Sequence, residues 1–532
     1  SDVYKRQKQK MKLQNISKKL LTGVVFTAAL VSCSEDKMDE INKDHNHTTA
    51  VPAKMILTDV MTSTAFSVVS GDFNLYGGMY VEHETGSHNQ FYYAETRSSC
   101  TSASTFNNSW GGTYSTLKDA LISVKVAEEE QNFITKGIAE LFVAYNLAIL
   151  TDMYGDTPWK EACDYTVSMT PAIDKQEEIY KDIMAYVDAA IEDLQKSDLT
   201  SLSNQDLIYK GDASAWLKTA YGLKARYTMR LMGRSADVKG DMEKVLDYIS
   251  KSYTSAAEQC SYAMYGVGVN INPFFGVFYS RLGEVASRSM FDKLNERNDP
   301  RIRRCYVEAN SQTMIASKDD PLLNLAHNGD LVQSQLEYTV SMFCAAQTAP
   351  THILSYHEVL FLKAEALCRL NRKDEAKAVL KEAVVAGMAN MEVNIKSALA
   401  SDYWGGFLNV TNEVTPEEAA SYFDENVVPL FDANPLKETM IQKYISFWNA
   451  DGESTECYND VRRLKSLGED IYGLQNPGKF PLRCPYGNDD TTTNPNIQAA
   501  YGDGQYVFTE NVWWAGGTRL SLIHISEPHE TP

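Results

Sequence analysis

The sequence predicts a mainly α fold: helix pairs of tetratricopeptide type, interrupted by large irregular loop insertions. Three observations carry this expectation. Apolar residues recur at helical spacing along most of the chain, the helical runs come in adjacent pairs, and strand signals are few and short. The chain has 532 residues, 44% hydrophobic and 23% charged, which excludes a disordered chain, a collagen-like one and a small disulfide scaffold. The net charge of −20 argues against nucleic-acid binding, which needs phosphate neutralisation.

The amino-terminal region reads as export machinery. Residues 1–10 look like a non-native, adapter-like tail, as do residues 520–532. Met11 opens a leader, residues 11–32, with Lys12, Lys18 and Lys19 as its positive region. Leu20 to Val31 follows as an apolar run too short to span a bilayer. Leu30-Val31-Ser32-Cys33 matches a lipobox, so Cys33 is the expected lipidation site and residues 33–54 a lipidated tether. No other window reads as apolar enough to span a membrane, so the expected attachment is by lipid. One domain is expected over 55–519.

The elements follow in order. Ile56, Val60, Thr64 and Val68 predict a helix over 55–69. Residues 70–109, rich in Gly, Ser, Thr, Asn and Tyr, read as long irregular structure of the kind that carries function. Helices are expected over 113–130 and 134–153, the second stopped by Tyr154-Gly155-Asp156-Thr157-Pro158. Asp174 and Glu177 predict a capping-box start for an amphipathic helix to Lys196, with Ile179, Ile183, Val187, Ala190 and Leu194 as its buried stripe. Asp212 is the expected cap of a helix over 213–232. Residues 353–370 and 373–386 form another pair, where Ala364, Ala366, Ala376 and Ala383 have tetratricopeptide-like spacing. Residues 474–512 read as loop.

Besides Cys33 the chain has eight cysteines, with no C-x-x-C and no zinc spacing, and no particular pairing is expected. His83-Glu84…His88 has metal-ligand residue types at a spacing that fits no zinc motif. Asp489-Asp490 reads as a hydrated turn in preference to a calcium loop. Nucleophile-elbow, zincin and P-loop motifs are absent. No cofactor is expected.

A series of blocks runs along the chain: Trp110-x-x-x-Tyr114, Leu150 to Trp159, Asp182-x-x-x-Tyr186, Asn298-Asp299-Pro300-Arg301-Ile302, Glu358 to Ala366, Glu456-x-x-x-Asp460-Val461-Arg462-Arg463, Pro481-x-Arg483 and Val512-Trp513-Trp514. Taken together, they are similar to those of the SusD/RagB family of nutrient-binding outer-membrane lipoproteins, nearest its second SusD-like branch. Their order and spacing, from Cys33 to Trp514, carry the resemblance. It implies a cell-surface protein that binds an oligosaccharide, or another nutrient such as a peptide, and partners a TonB-dependent SusC-like transporter. It also implies capture without catalysis. The acidic run after Cys33 (Glu35-Asp36, Asp39-Glu40) resembles that of surface-exported lipoproteins.

Sugar recognition needs flat rings for C–H faces, with amides or carboxylates for hydroxyls. Three segments have that composition. The first contains Tyr76, Tyr80, Asn89, Tyr92 and Tyr93. The second contains Tyr262, Tyr265, Asn272, Phe275 and Tyr279. The third is Trp404, expected to be exposed between polar residues and glycines. Most family blocks read as structural: Arg462 and Arg463 as ion-pairing residues, Glu365 as a paired packing-site carboxylate. A lipid-anchored hydrolase and a purely structural helical scaffold are the alternatives, and loop geometry divides them.

Overall fold

The computed structural model of the chain describes residues 51–98, 100–330, 337–404 and 408–518. Cys33, the leader, the tether up to residue 50 and both adapter-like tails lie outside the described residues. Those from Pro52 onward form one compact unit.

Helix α1 (Ala53–Ser63) buries Leu57, Val60 and Met61 and runs on into a π-helical turn, Thr64–Val69. The next stretch is not irregular, as expected from composition. It folds as α2 (Asp72–Tyr80), β1 (Glu84–Gly86) and α3 (Asn89–Glu95). Every residue of α2 after Asp72 is buried, so no polar face marks the helical period, and two glycines count against a helix. Both glycines lie against Ser454: a Cβ on Gly77 would stand 3.6 Å from the Ser454 carbonyl oxygen, an ordinary van der Waals contact.

Helices α4 (Asn107–Glu129), α5 (Phe133–Tyr154) and α6 (Gln176–Asp193) then pack in sequence, each against the next. Among the described residues α5 alone is long and apolar enough to cross a membrane, which the sequence reading did not anticipate. It is a core helix, with 83% of its most apolar window buried inside the protein. Gly155, at φ +78°, ends it. Asp156 Oδ1 then accepts from the Gln176 backbone N–H at 2.8 Å, joining the end of α5 to the start of α6. Asp174 is therefore not the cap of α6. Its carboxylate instead accepts from the Trp159 and Lys160 backbone N–H groups, both at 2.9 Å. The stripe predicted for α6 is buried throughout. α7 (Ala213–Arg230) is capped by Asp212 as expected and packs on α8 (Val238–Ser250).

Beyond these lie α9 (Pro273–Arg281) and β2 (Glu284–Ala286), then the long hairpin α10 (Tyr356–Arg369) and α11 (Lys373–Leu399). α12 (Pro435–Ser446) packs on both hairpin helices, and α13 (Ser454–Ser466) on α2. Strands occur only as small ladders among the described residues. β1 pairs with β2, 157–158 with 173–174, and 260–262 with 351–354, while 306–308 lies between 313–314 and 340–341.

Buried ion pairs cross-link the helices. Arg226 meets Glu358 at 2.6 Å, Arg230 meets Asp152 at 2.5 Å, and Arg463 meets Glu365 at 2.7 Å and Asp460 at 2.8 Å. Arg463 and Arg369 hold the Glu365 carboxyl down at about 2, and Lys443 with Arg463 holds Asp460 lower still, against the opposing push of burial. Arg462 differs from expectation: among the described residues it makes no ion pair. Its guanidinium lies 4.2 Å from the Tyr458 ring centroid and 5.0 Å from that of Trp514, and it donates to the Leu482 carbonyl. It thereby ties the carboxy-terminal segment to α13 through cation–π contact. All eight described cysteines are free.

Candidate functional site

The candidate segments meet because of one short ladder. In β1–β2, Glu84 pairs with Ala286, Thr85 with Val285 and Gly86 with Glu284. The Ser87 backbone N–H extends it, donating to the Gly283 carbonyl at 2.8 Å. The ladder sets α3 against the carboxy-terminal end of α9. Gly283 is required at that junction, since a Cβ there would fall 2.5 Å from the Phe91 ring.

Asn272 starts α9, and its role is structural. Its Oδ1 accepts from the Phe274 backbone N–H at 2.8 Å, and its Nδ2 donates to the carbonyls of Ala349 at 2.9 Å and Ala450 at 3.0 Å. One turn into the helix, buried Phe275 stacks on Tyr279 with centroids 5.7 Å apart and rings 23° from parallel. Tyr279 itself is 63% exposed. Half-buried Tyr403 meets Phe275 at 6.3 Å, Phe278 at 5.6 Å and Tyr279 at 6.2 Å, edge to face each time. Trp404 lies behind Tyr403 at 4.8 Å and is only 2% exposed. Two of the three segments thus build one aromatic cluster, with Tyr279 and Tyr403 outward and Phe275 and Trp404 beneath. On neighbouring α3, Tyr93 is 53% exposed and lies edge-on to half-buried Tyr92 at 5.9 Å, while Asn89 is exposed.

Five sequence candidates belong to the core instead. Tyr76 packs on Phe91 and Phe106, and Tyr80 on Phe106 and Tyr458 with Arg97 over its ring. Asn272, Phe275 and Trp404 are buried as described above. Composition alone does not separate a loop tyrosine from one on a fully buried helix. Tyr265 is half-buried and apart from the cluster, with Phe66 and Tyr262 around its ring and its hydroxyl 2.7 Å from that of Thr351. Tyr262 is buried. His83 is no ligand for a metal: its ring nitrogens are 2.9 Å from the Ser454 hydroxyl and 3.0 Å from the Tyr444 carbonyl. Burial depresses its pKa to about 3, so the ring is neutral. Among the described residues no group of three or more His, Cys, Asp or Glu could hold a metal ion. Asp490 accepts from the Trp110 indole at 2.5 Å, in the first turn of a short helix.

The β1–β2 ladder carries two buried carboxyls. Among the described residues both oxygens of Glu284 and Oε2 of Glu84 find no hydrogen-bond partner, and Glu84 Oε1 accepts from the Trp448 indole at 2.8 Å. Burial pushes both pKa values up to about 8, so both are neutral at pH 7.

Helix pairs in series, presenting a surface cluster of tyrosines, define a helical-repeat scaffold with an aromatic face. The chain belongs to the SusD-like family, in its second branch, described as starch-binding and associating with the outer membrane; the family model matches residues 45–487. A SusD/RagB family protein of Bacteroides thetaiotaomicron VPI-5482 is 50% identical, with a TM-score of 0.84, over 88% of this chain and all (100%) of that one. A chitin-binding protein superposes at TM-score 0.66 with 21% identity, over 87% of this chain and 99% of its own. A SusD homologue of Bacteroides fragilis NCTC 9343 does so at 0.67 with 19% identity, over 88% of this chain and 100% of its own. These last two share the fold. No curated protein matches the chain.

Proposed function

We propose that the protein captures an oligosaccharide at the cell surface, anchored there by lipid on Cys33. It then delivers the sugar to a TonB-dependent SusC-like outer-membrane transporter, without chemistry. The observation that carries the ligand class is the exposed Tyr279 ring, backed by Phe275 and flanked by Tyr403. A tyrosine held rigid by stacking offers a flat face to a sugar ring at little entropic cost. Tyr93 and Asn89 on α3 supply a second ring and an amide on the adjoining element. Family membership supports the sugar and the outer membrane. The hydrolase alternative needs a carboxyl of raised pKa open to substrate. Glu84, Glu95 and Glu284 have the raised pKa but are buried, and Glu140, raised to about 7, borders a cavity yet is only 4% exposed.

The test is a glycan array followed by calorimetry on the purified protein, its Tyr279→Ala variant and its Tyr93→Ala variant. Saccharide binding that weakens in Tyr279→Ala, with no product released, supports the reading. Binding unchanged in both variants removes the aromatic face as the site, and no saccharide bound at all removes the ligand class.

A further inference from the structure

A second site lies among residues that the aromatic face does not use. A cavity of ≈ 410 Å³ opens beside α5 and α6, lined by Glu140, Trp159, Asp182, Ala185, Tyr186 and Ala189. Ala185 and Ala189 stand one helical turn apart on α6, and their small side chains leave the space. Trp159 donates its indole N–H to Asp182 Oδ2 at 2.8 Å, which fixes the ring, and Tyr186 lies edge-on to it at 6.2 Å.

Glu140 is the unusual member. It is only 4% exposed, and its Oε2 has no hydrogen-bond partner. The nearest cation, Lys136, stands 3.6 Å from the other oxygen, beyond hydrogen-bond reach, and lies closer to Asp193 at 3.1 Å. A buried carboxyl oxygen left without a donor is destabilising. The residue lines an open cavity, which gives a donor a route to it. The carboxyl itself selects the kind of donor: burial, with Asp193 nearby, pushes the Glu140 pKa up to about 7, while Lys136 and Lys196 are both engaged by Asp193, so a further cation is the donor that would hold Glu140 ionised. The rings add to this, since indole and phenol groups attract cations. Two carboxylates beside two aromatic rings are the surroundings of an organic ammonium ion.

We propose that this cavity binds a small organic cation, its ammonium group on Glu140 Oε2 and its alkyl part against Trp159 and Tyr186. The site is independent of the glycan reading and stands or falls without it.

The protein labelled with 5-fluorotryptophan provides a local readout. Its seven tryptophans include Trp159, whose fluorine resonance is assigned by its loss in Trp159→Phe. The probe is ethylammonium chloride, with ethanol as the neutral control and sodium chloride at equal ionic strength. Ethylammonium is expected to move the Trp159 resonance saturably, while neither control does. Glu140→Gln keeps the shape but cannot ionise, and at pH 8 should weaken binding about tenfold or more. Ala185→Leu fills the cavity without touching a charge and should abolish the shift. In both variants the other tryptophan resonances report whether the fold is retained. The proposal is overturned if ethanol moves the resonance equally, if no saturable shift occurs, or if either folded variant binds ethylammonium like the parent.

Discussion

Glu284→Gln should flatten the fall in thermal stability between about pH 5 and pH 8. Antiparallel register places Glu84 and Glu284 on one face of the β1–β2 ladder, at diagonal positions about 7–8 Å apart. Burial raises the Glu284 carboxyl from 4.5 to about 8, and the nearby Glu84 carboxyl adds to the rise. Between those two values the folded chain keeps the proton and the unfolded chain releases it. The stabilisation is therefore complete below pH 4.5 and lost as pH rises towards 8, at about 1.4 kcal/mol per unit. The whole window is worth at most about 5 kcal/mol. An unfolding entropy of about 2.1 cal/mol/K per residue makes 1 kcal/mol roughly 1 °C for a domain this large, so Gln should recover about 3–5 °C of the alkaline fall. Gln brings an amide with no partner, which lowers stability at every pH, so the slope decides and not the absolute midpoint. His352, raised to about 9 mainly by Asp451 against the effect of burial, also loses its stabilisation as pH rises above 6.5. That contribution is common to both proteins and cancels. Differential scanning calorimetry across the pH series gives the answer, and parallel curves for parent and variant would refute the argument.

Other substitutions separate surface from core. Tyr279→Ala should leave the thermal midpoint nearly unchanged and weaken saccharide binding about two- to tenfold, the worth of one aromatic face, by calorimetry. Trp404→Ala should act first on stability: about 3–5 kcal/mol lost in urea unfolding, with saccharide affinity also reduced in the folded fraction as Tyr403 loses its backing ring. Arg463→Leu strips Glu365 and Asp460 of a shared buried partner and should cost about 3–5 kcal/mol by the same measurement. Asn272→Ala removes a helix cap and leaves two buried carbonyls without their donor. About 2–3 kcal/mol should be lost, and saccharide binding should fall as α9 frays and Tyr279 loses its support.

Long helices were legible in the sequence, the almost wholly buried α5 included, and the short, fully buried α2 was not. The stripe on α6 repeats every three to four residues because the opposite face meets water, and the structure buries all of it. α2 has no such opposite face. Its Phe, Tyr and Gly residues all point into protein, so the same composition that suggested a ligand loop belongs to core. The caps divide in the same way. Asp212 bonds within its own turn and is readable from local order. The start of α6 is served by Asp156, twenty residues upstream, while Asp174 turns back to Trp159, so neither contact follows from spacing. For the candidate site, residue types pointed to Phe275, Tyr279 and Trp404. Which ring faces outward depends on the contact between α9 and the 402–404 turn, a tertiary fact. The free oxygen of Glu140 also has no sequence signature, because it arises from where Lys136 turns.

The exposure of Tyr279 also sets what kind of binding this face can deliver. A ring 63% exposed, on an open surface, buries only part of a sugar, and each such contact adds about 0.5–1.5 kcal/mol beyond area. Two or three rings of this kind leave affinity far from the tightest complexes, and the difference lies mostly in the dissociation rate. Tight retention would need an enclosed pocket, and the rings suited to lining one, Phe275 and Trp404, are already committed to holding Tyr279 and Tyr403 in place. The acidic chain adds no pull on a neutral glycan. A face that concentrates ligand yet releases it quickly suits transfer to a transporter better than storage. On that reading Tyr279→Trp, with a larger face on the same helix, should tighten saccharide binding by slowing dissociation with the on-rate unchanged. Surface plasmon resonance showing the gain in the on-rate instead would mean that encounter, and not ring contact, limits capture.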